Sequence, residues 1–141
     1  MQQILPWESF PLKAYDKLRY ADTDRQGHVN NAVFATFLET GRVEMLYQNE
    51  GRLIGHGNSY VIASLQLDLV AEIKWPGTVE IGTAVSKVGN SSIKLYQQLF
   101  QNGVVVAKAT SVLVQVNSFG KSEPLSDAAK SILEAYFHPN M

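Results

Sequence analysis

The second half of the chain alternates apolar and polar residues with the period of two that is typical of β-strands. The alternation is clearest from Tyr60 to Lys74, and further strand-like segments run from Thr78 to Val88, from Ser92 to Phe100 and from Val104 to Val116. Asn102-Gly103 separates the last two segments, and it is a strong hairpin signal because both residues tolerate a positive φ. The pattern therefore predicts four strands in succession, the last two paired antiparallel.

The first third of the chain predicts a short strand, a polar loop and a long helix. The strand runs from Leu12 to Tyr20, and the loop runs from Ala21 to Asn31. From Ala32 to Tyr47 the apolar positions cover more than one helical stripe, which predicts that protein surrounds the helix on most sides. Gly41 lies inside this helix at a cost of about 1 kcal/mol in helix propensity, so we interpret it as a point where another backbone approaches closely.

A shorter helical pattern closes the chain, from Ser126 to Phe137, with Ser126 as its N-cap. One strand, one long buried helix, a run of antiparallel strands and a final helix together predict an α+β fold, in which an antiparallel sheet wraps around a central helix. The 141 residues are long enough for one domain over residues 1–141, and 45% of them are hydrophobic, which suffices for a core.

Composition excludes several classes of function. The 12 basic and 13 acidic residues are dispersed and give a net charge of -1, so no basic face predicts a nucleic-acid partner or an anionic membrane surface. The absence of cysteine removes disulfides, thiolate zinc sites and thiol nucleophiles. No apolar run approaches the roughly 18 residues of a membrane span, and we expect a cytoplasmic protein. The histidines form no cluster in the sequence, so no metal and no cofactor is expected.

The loop before the long helix carries most of the polar chemistry. Asp24 precedes Gly27 by three residues and Asn31 by seven, so a turn at Gly27 can fold its carboxylate back toward the start of the helix. Unpaired N–H groups and the positive end of the helix dipole favour a polarised carbonyl oxygen there. The competing interpretation is that Asp22 and Asp24 only form Asx turns or cap the helix.

The same stretch carries a family resemblance. Asp24-x-x-Gly27-His28-Val29-Asn30-Asn31, followed by Phe34, Phe37, Glu39 and Arg42, resembles the 4-hydroxybenzoyl-CoA thioesterase branch of the hotdog-fold acyl-CoA thioesterases. The resemblance covers Leu12 to about Leu133, but its specific part is Tyr20 to Glu44. It implies the hotdog fold, an antiparallel sheet wrapped around a long central helix.

The resemblance also implies roles for single residues. Asp24 would attack the thioester carbonyl or activate a water that does so. The backbone N–H of Asn31 would bind the thioester oxygen, and such a donor is worth about 2.7–4 kcal/mol in well-studied oxyanion holes. The neighbouring residues expected at the substrate are Gly27, His28, Asn30 and Phe34.

Glu39 and His28 each have two interpretations. Glu39 can pair with Arg42 three residues further along the helix, or it can be the catalyst, since other hotdog thioesterase branches use a helix carboxylate facing the neighbouring subunit. Asp24 ranks ahead of Glu39. His28 invites the role of general base, which histidine commonly plays in enzymes, but spacing supplies no carboxylate to orient it, so we interpret it as a residue that shapes the loop.

A coenzyme A substrate needs a groove for the pantetheine arm and cations near the phosphates. The backbone of Asn90, Ser91 and Ser92 is our candidate for the arm. For the phosphates the candidates are Lys87, Lys94, Lys108 and Lys121, although exposed lysines commonly serve solubility alone.

Two functions fit these observations. The first is an acyl-CoA thioesterase that releases a free acid and coenzyme A, with the acyl group left open. The alternative is a non-catalytic hotdog module that binds acyl-CoA or an acylated carrier protein. In either case we expect a homodimer or homotetramer, because the strands Ser92 to Phe100 and Val104 to Val116 carry apolar residues on both faces.

Overall fold

A computed structural model describes residues 4–138 and shows a five-stranded antiparallel sheet with a long helix on one face. The strands are β1 (Leu12–Lys17), β2 (Ser59–Leu69), β3 (Thr78–Val88), β4 (Ser92–Gln101) and β5 (Val104–Val116). The helices are α1 (Asn31–Tyr47) and α2 (Asp127–Glu134). The strand order is β1-β3-β4-β5-β2, and every neighbouring pair is antiparallel. The predicted α+β architecture is confirmed.

The local signals of the sequence fix several element boundaries. Asn102 and Gly103 have φ values of 52° and 80° and join β4 to β5, as predicted from the hairpin signal. The Ser126 side chain accepts a hydrogen bond of 3.0 Å from the backbone N–H of Ala129, which confirms the N-cap of α2. That helix ends at Glu134, before the predicted end at Phe137.

Helix α1 lies over β1, β3 and β4 and buries one face against them. Gly41 lies in this interface, where an added Cβ would be 2.7 Å from Ile81 Cγ2 and 2.8 Å from Gln97 Nε2. The close approach predicted at Gly41 is therefore present, but its neighbours are side chains of the sheet and not another backbone.

The expectation that protein surrounds α1 on most sides is wrong for this chain. Val43 and Tyr47 are exposed at 44% and 64%, and Glu39 and Glu44 are exposed as well. The sheet meets the helix from one side only, so apolar residues on the other flanks stay in contact with solvent. Apolar content alone could not distinguish a helix enclosed by its own chain from one with uncovered flanks.

Strand β2 ends at Leu69, before the predicted end at Lys74. The backbone N–H groups of Val70 and Ala71 both donate to the carbonyl of Val106, and the ladder stops there. The segment that follows pairs with the loop before α1 instead: the Val29 N–H donates to the Ile73 carbonyl at 2.9 Å, and His28 bridges to Lys74. This pairing places the loop beside the end of β2.

The start of the loop also differs from the prediction, because β1 ends at Lys17 and Tyr20–Asp22 forms a 3₁₀ turn. Asp22 is the buried acid of the loop, with 2% of its surface exposed. Its carboxylate accepts hydrogen bonds of 2.9 Å from the Arg19 backbone N–H and from the Arg19 guanidinium. Asp22 is thus a structural residue that anchors the entry to the loop.

The two faces and edges of the sheet are covered unequally. On the face away from α1, the segment before β1 packs Leu5 and Phe10 on β4, and Leu5 exchanges two 2.8 Å hydrogen bonds with Gln98. At the far edge, all of β2 is exposed except Tyr60 and Leu67, which are half-buried. The uncovered apolar strand is therefore β2, and the assignment of this surface to β4 and β5 is wrong, since the chain itself covers most of both.

Neither helix in residues 4–138 is long and apolar enough to cross a membrane.

Candidate active site

A cavity of about 250 Å³ opens where the start of α1 meets the end of β2. Its lining from the loop and helix is Asp24, His28, Val29, Asn31 and Phe34, and its lining from the other side is Leu69–Glu72. The fold therefore brings together four of the residues singled out in the sequence: Asp24, His28, Asn31 and Phe34. Gly27 and Asn30 shape this site from just outside the lining.

A narrow turn places Asp24 at the cavity. Thr23 pairs with Val29, and the Asp24 N–H donates to the His28 carbonyl at 2.8 Å. Gly27 closes the turn with a φ of 80°, a left-handed conformation that glycine adopts at no steric cost. The loop thus folds back at Gly27 as the spacing of Asp24 and Gly27 predicts.

The Asp24 carboxylate fits both interpretations made from the sequence. Oδ1 accepts hydrogen bonds from the backbone N–H groups of Gln26 at 2.8 Å and His28 at 3.2 Å, which is the loop-forming role. Within residues 4–138 no hydrogen bond engages Oδ2, and the side chain is exposed and lines the cavity. One oxygen therefore fixes the loop while the other is available to a substrate or a water.

The start of α1 supplies a donor beside this carboxylate. Asn30 is the N-cap, and its Oδ1 accepts from the Ala32 N–H at 3.0 Å, while its carbonyl accepts from the Val33 N–H at 2.9 Å. No hydrogen bond between described residues uses the N–H of Asn31. This N–H lies at the positive end of the helix dipole, and the buried Phe34 lines the same cavity as Asn31.

His28 has a carboxylate partner that spacing did not reveal. Its Nε2 lies 3.4 Å from Oε2 of Glu72, in the segment that pairs with the loop. Both side chains line the cavity. Glu72 is distant in sequence and comes near through the pairing of Val29 with Ile73, so only tertiary structure identifies it.

Glu39 does not occupy the buried position that the sequence suggested. It is exposed, and the ion pair between Glu39 and Arg42, one of the two interpretations made from the sequence, is absent from residues 4–138. Arg42 is buried instead, with Nη1 donating to Gln97 at 3.5 Å. Burial lowers the pKa of Arg42, and the charge of Glu39 offsets part of that effect.

The candidate residues for coenzyme A lie elsewhere in this chain. Ser92 pairs with Val114 near the end of the sheet that carries Ser59, whereas Leu69 pairs with Ala107 toward the other end, where Asp24 lies. Asn90 and Lys87 line a separate cavity of about 570 Å³ beside α2. Lys94 and Lys108 line a polar cavity of about 610 Å³ on the outer face of the sheet. One chain alone does not join Asn90, Ser91 and Ser92 to Asp24.

No group of three or more histidine, cysteine or acidic side chains in residues 4–138 is arranged to hold a metal ion.

Comparisons with known proteins decide the family. The profile of the thioesterase-like superfamily matches residues 18–133. The chain belongs to this superfamily. It is 30% identical over 134 residues to the acyl-CoA thioesterase YbgC of Haemophilus influenzae, covering 92% of this chain and 94% of the relative.

Solved thioesterase structures share the fold. A thioesterase from Thermus thermophilus, described as complexed with coenzyme A and Zn, is 29% identical with a TM-score of 0.78 over 92% of this chain and 96% of its own. A predicted thioesterase from Bacillus stearothermophilus is 30% identical with a TM-score of 0.81 over 89% of this chain and 96% of its own. The hotdog fold is thus confirmed, and the chain is a thioester hydrolase, which favours the enzyme over the non-catalytic binding module.

Proposed function

We propose that this thioesterase-superfamily chain hydrolyses acyl-CoA thioesters to a free acid and coenzyme A in the cavity at the start of α1. The observation that carries the proposal is that Asp24 and Asn31 line the same cavity. Within residues 4–138, no hydrogen bond uses the Asn31 N–H. The name of the Haemophilus influenzae relative and the coenzyme A bound by the Thermus thermophilus neighbour support this substrate class.

The chemistry follows from the two groups. The Asn31 N–H donates to the thioester oxygen and stabilises the negative charge that develops as the carbonyl carbon becomes tetrahedral. In one route Asp24 takes a proton from a water as that water adds to the carbon. In the other the Asp24 carboxylate adds to the carbon itself, and water then attacks the Asp24 carbonyl carbon of the resulting anhydride, which regenerates the carboxylate and releases the acid. In both routes the C–S bond breaks, and coenzyme A leaves as its thiolate and takes up a proton.

The two routes differ in where a solvent oxygen first appears. Under single-turnover conditions in ¹⁸O-labelled water, the nucleophilic route returns label to the Asp24 carboxylate, whereas the general-base route labels only the released acid. Mass spectrometry of the peptide that contains Asp24 distinguishes them.

The partner is a second copy of the chain joined through β2. The outer edge of β2 is unpaired, and Val61, Ile62 and Leu65 are exposed at 46%, 45% and 39%. Antiparallel pairing of two such edges about a twofold axis satisfies both rows of backbone groups. The outer face of the sheet carries the polar residues Gln66, Asp68, Lys94 and Lys108 and therefore needs no further subunits to cover it. We therefore propose a dimer and not a tetramer.

The dimer also brings the candidate residues for the pantetheine arm near the cavity of the other subunit. Antiparallel pairing sets the Leu69 end of one β2 beside the Ser59 end of the other, and Ser92 lies toward the Ser59 end of its sheet. Asp24 of one subunit then shares an end of the joined sheet with the partner subunit's Asn90, Ser91 and Ser92. We propose that the pantetheine arm runs over the partner's surface at that end.

The function is tested directly with purified protein and a panel of acyl-CoAs from acetyl to palmitoyl, with an aromatic member included. A thiol reagent reports free coenzyme A. Release over many turnovers supports the hydrolase, and the preferred member identifies the acyl group. Stoichiometric release, or none with any member, contradicts the proposal.

A further inference from the structure

We infer that Glu72 is a positioning residue of this active site and acts on Asp24 through His28. The inference rests on the proposed function, because the reaction it would affect is the one assigned to Asp24. Glu72 lies in the connection between β2 and β3, outside the five strands of the sheet, and lines the cavity with Asp24 and His28.

His28 is tied to both acids at once. Its imidazole Nε2 lies 3.4 Å from Oε2 of Glu72. Its backbone N–H donates to Oδ1 of Asp24 at 3.2 Å, and its carbonyl accepts from the Asp24 N–H at 2.8 Å. A shift of His28 therefore moves one of the two donors that orient the Asp24 carboxylate.

The backbone around this pair is braced as well. The Val29 N–H donates to the Ile73 carbonyl at 2.9 Å, and His28 bridges to Lys74. The loop and the segment that carries Glu72 thus run side by side, and the Glu72 carboxylate faces the His28 imidazole across them. A neutral imidazole that faces a carboxylate carries its proton on the facing nitrogen, so Glu72 also selects the Nε2–H tautomer of His28.

The kinetic test compares three variants. Glu72→Ala is expected to lower kcat about tenfold to a hundredfold with little change in KM, because a misplaced reacting group costs rate more than binding. Glu72→Gln keeps an acceptor for the Nε2–H and should recover most of the activity. Glu8→Ala removes an exposed glutamate in the segment before β1 and should leave kcat unchanged.

A double-mutant cycle separates positioning from a general structural effect. If Glu72 acts through His28, Glu72→Ala has no further effect on kcat in a His28→Ala background. Equal losses of kcat in both backgrounds overturn the inference. So does a Glu72→Ala variant whose kcat is unchanged, or one in which only KM rises, since that result makes Glu72 a substrate contact.

A spectroscopic readout keeps the inference testable apart from activity. In ¹⁵N NMR of the imidazoles, wild-type His28 should show a single Nε2–H tautomer, and Glu72→Ala should show a mixture of tautomers. An unchanged tautomer overturns the inference even if the wild type is active. A wild type that hydrolyses no acyl-CoA overturns the proposed function, while the His28 spectrum still decides whether Glu72 positions the imidazole.

Discussion

At the scale of single residues, Asp24 combines a structural and a chemical task in one side chain. Oδ1 holds the turn through two backbone N–H groups, while Oδ2 accepts no hydrogen bond within residues 4–138 and the residue lines the cavity. This division makes a clean substitution available, because an amide in place of the carboxylate keeps an oxygen that can accept both hydrogen bonds. Asparagine at this position removes basicity without removing the turn.

We expect Asp24→Asn to lower kcat by about 10²–10⁴-fold with little change in KM or in melting temperature. Glu39→Gln should cost much less, because Glu39 is exposed on α1 and does not line the cavity. Steady-state kinetics of both variants with the best acyl-CoA decide the matter. If Glu39→Gln abolishes turnover and Asp24→Asn does not, the helix carboxylate is the catalyst and Asp24 only shapes the loop.

Asp22 makes a second residue-level prediction, this one about stability and pH. Burial alone would raise the pKa of Asp22, but the hydrogen bonds from Arg19 outweigh it and hold the pKa below its usual value. The stabilisation is therefore complete above the pKa of an unfolded aspartate, about 3.9, and is lost as the pH falls through the lower folded pKa.

We expect Asp22→Asn to reduce the free energy of unfolding at pH 7 by about 1.5 kcal/mol, the low end for a hydrogen bond to a charged group, because the exposed Arg19 is screened by solvent. The difference between the variant and the wild type should shrink as urea denaturation is repeated at falling pH below about 4. A difference that stays constant down to pH 2 contradicts this account.

Sequence reasoning succeeded where spacing along the chain decides geometry and failed where a tertiary contact does. The Asp24, Gly27 and Asn31 spacing lies within one loop, so the return of the carboxylate to the helix start was predictable. Glu72 was not predictable, because it reaches His28 only through the pairing of the loop with the segment after β2. The alternation of apolar and polar residues in that segment instead predicts that β2 continues to Lys74.

At the scale of elements, the contact of α1 with the sheet depends on the missing side chain of Gly41. Any Cβ there meets Ile81 and Gln97 at 2.7 and 2.8 Å, well inside ordinary van der Waals distance. A residue that favours the helix by about 1 kcal/mol thus has to displace the sheet from the helix. Packing and propensity oppose each other at one position.

We expect Gly41→Leu to lower the free energy of unfolding by about 1–3 kcal/mol, a typical cost of overpacking that exceeds the gain in propensity. Thr36→Leu is the matched control, because it adds the same side chain at an exposed position of the same helix and should stay within about 0.5 kcal/mol of wild type. Thermal or urea denaturation measures both. A Gly41→Leu protein as stable as wild type would place this face of α1 in solvent.

The helix also shows the limit of pattern reading at this scale. The apolar pattern predicts the helix α1, but its excess over one stripe also predicts an enclosure that the chain itself does not provide. Val43 and Tyr47 remain exposed, and so does most of β2. The apolar pattern of a sequence indicates how much surface must be buried. It does not indicate whether the same chain or a partner subunit buries it.

At the scale of the whole molecule, the exposed edge of β2 and the position of the cavity lead to one conclusion. The cavity of about 250 Å³ is bounded on one side by Leu69–Glu72, directly after the uncovered strand. A copy paired along β2 would extend the walls of that cavity and bring its own Asn90, Ser91 and Ser92 to the same end. Assembly and activity should therefore fail together.

We expect the wild type to behave in light scattering as a dimer of twice 15.6 kDa at micromolar concentration. A protein with both Val61→Lys and Leu65→Lys should be a monomer, because charged lysines on an edge strand oppose pairing, and its kcat/KM should fall because the partner's part of the groove is lost. Val104→Lys is the matched control, since Val104 is 57% exposed but lies at the β4–β5 hairpin, away from β2, and should leave both mass and kcat/KM unchanged. A wild-type protein that behaves as a 15.6 kDa monomer would contradict the predicted dimer. A double-lysine monomer with full activity would show that each chain holds a complete active site.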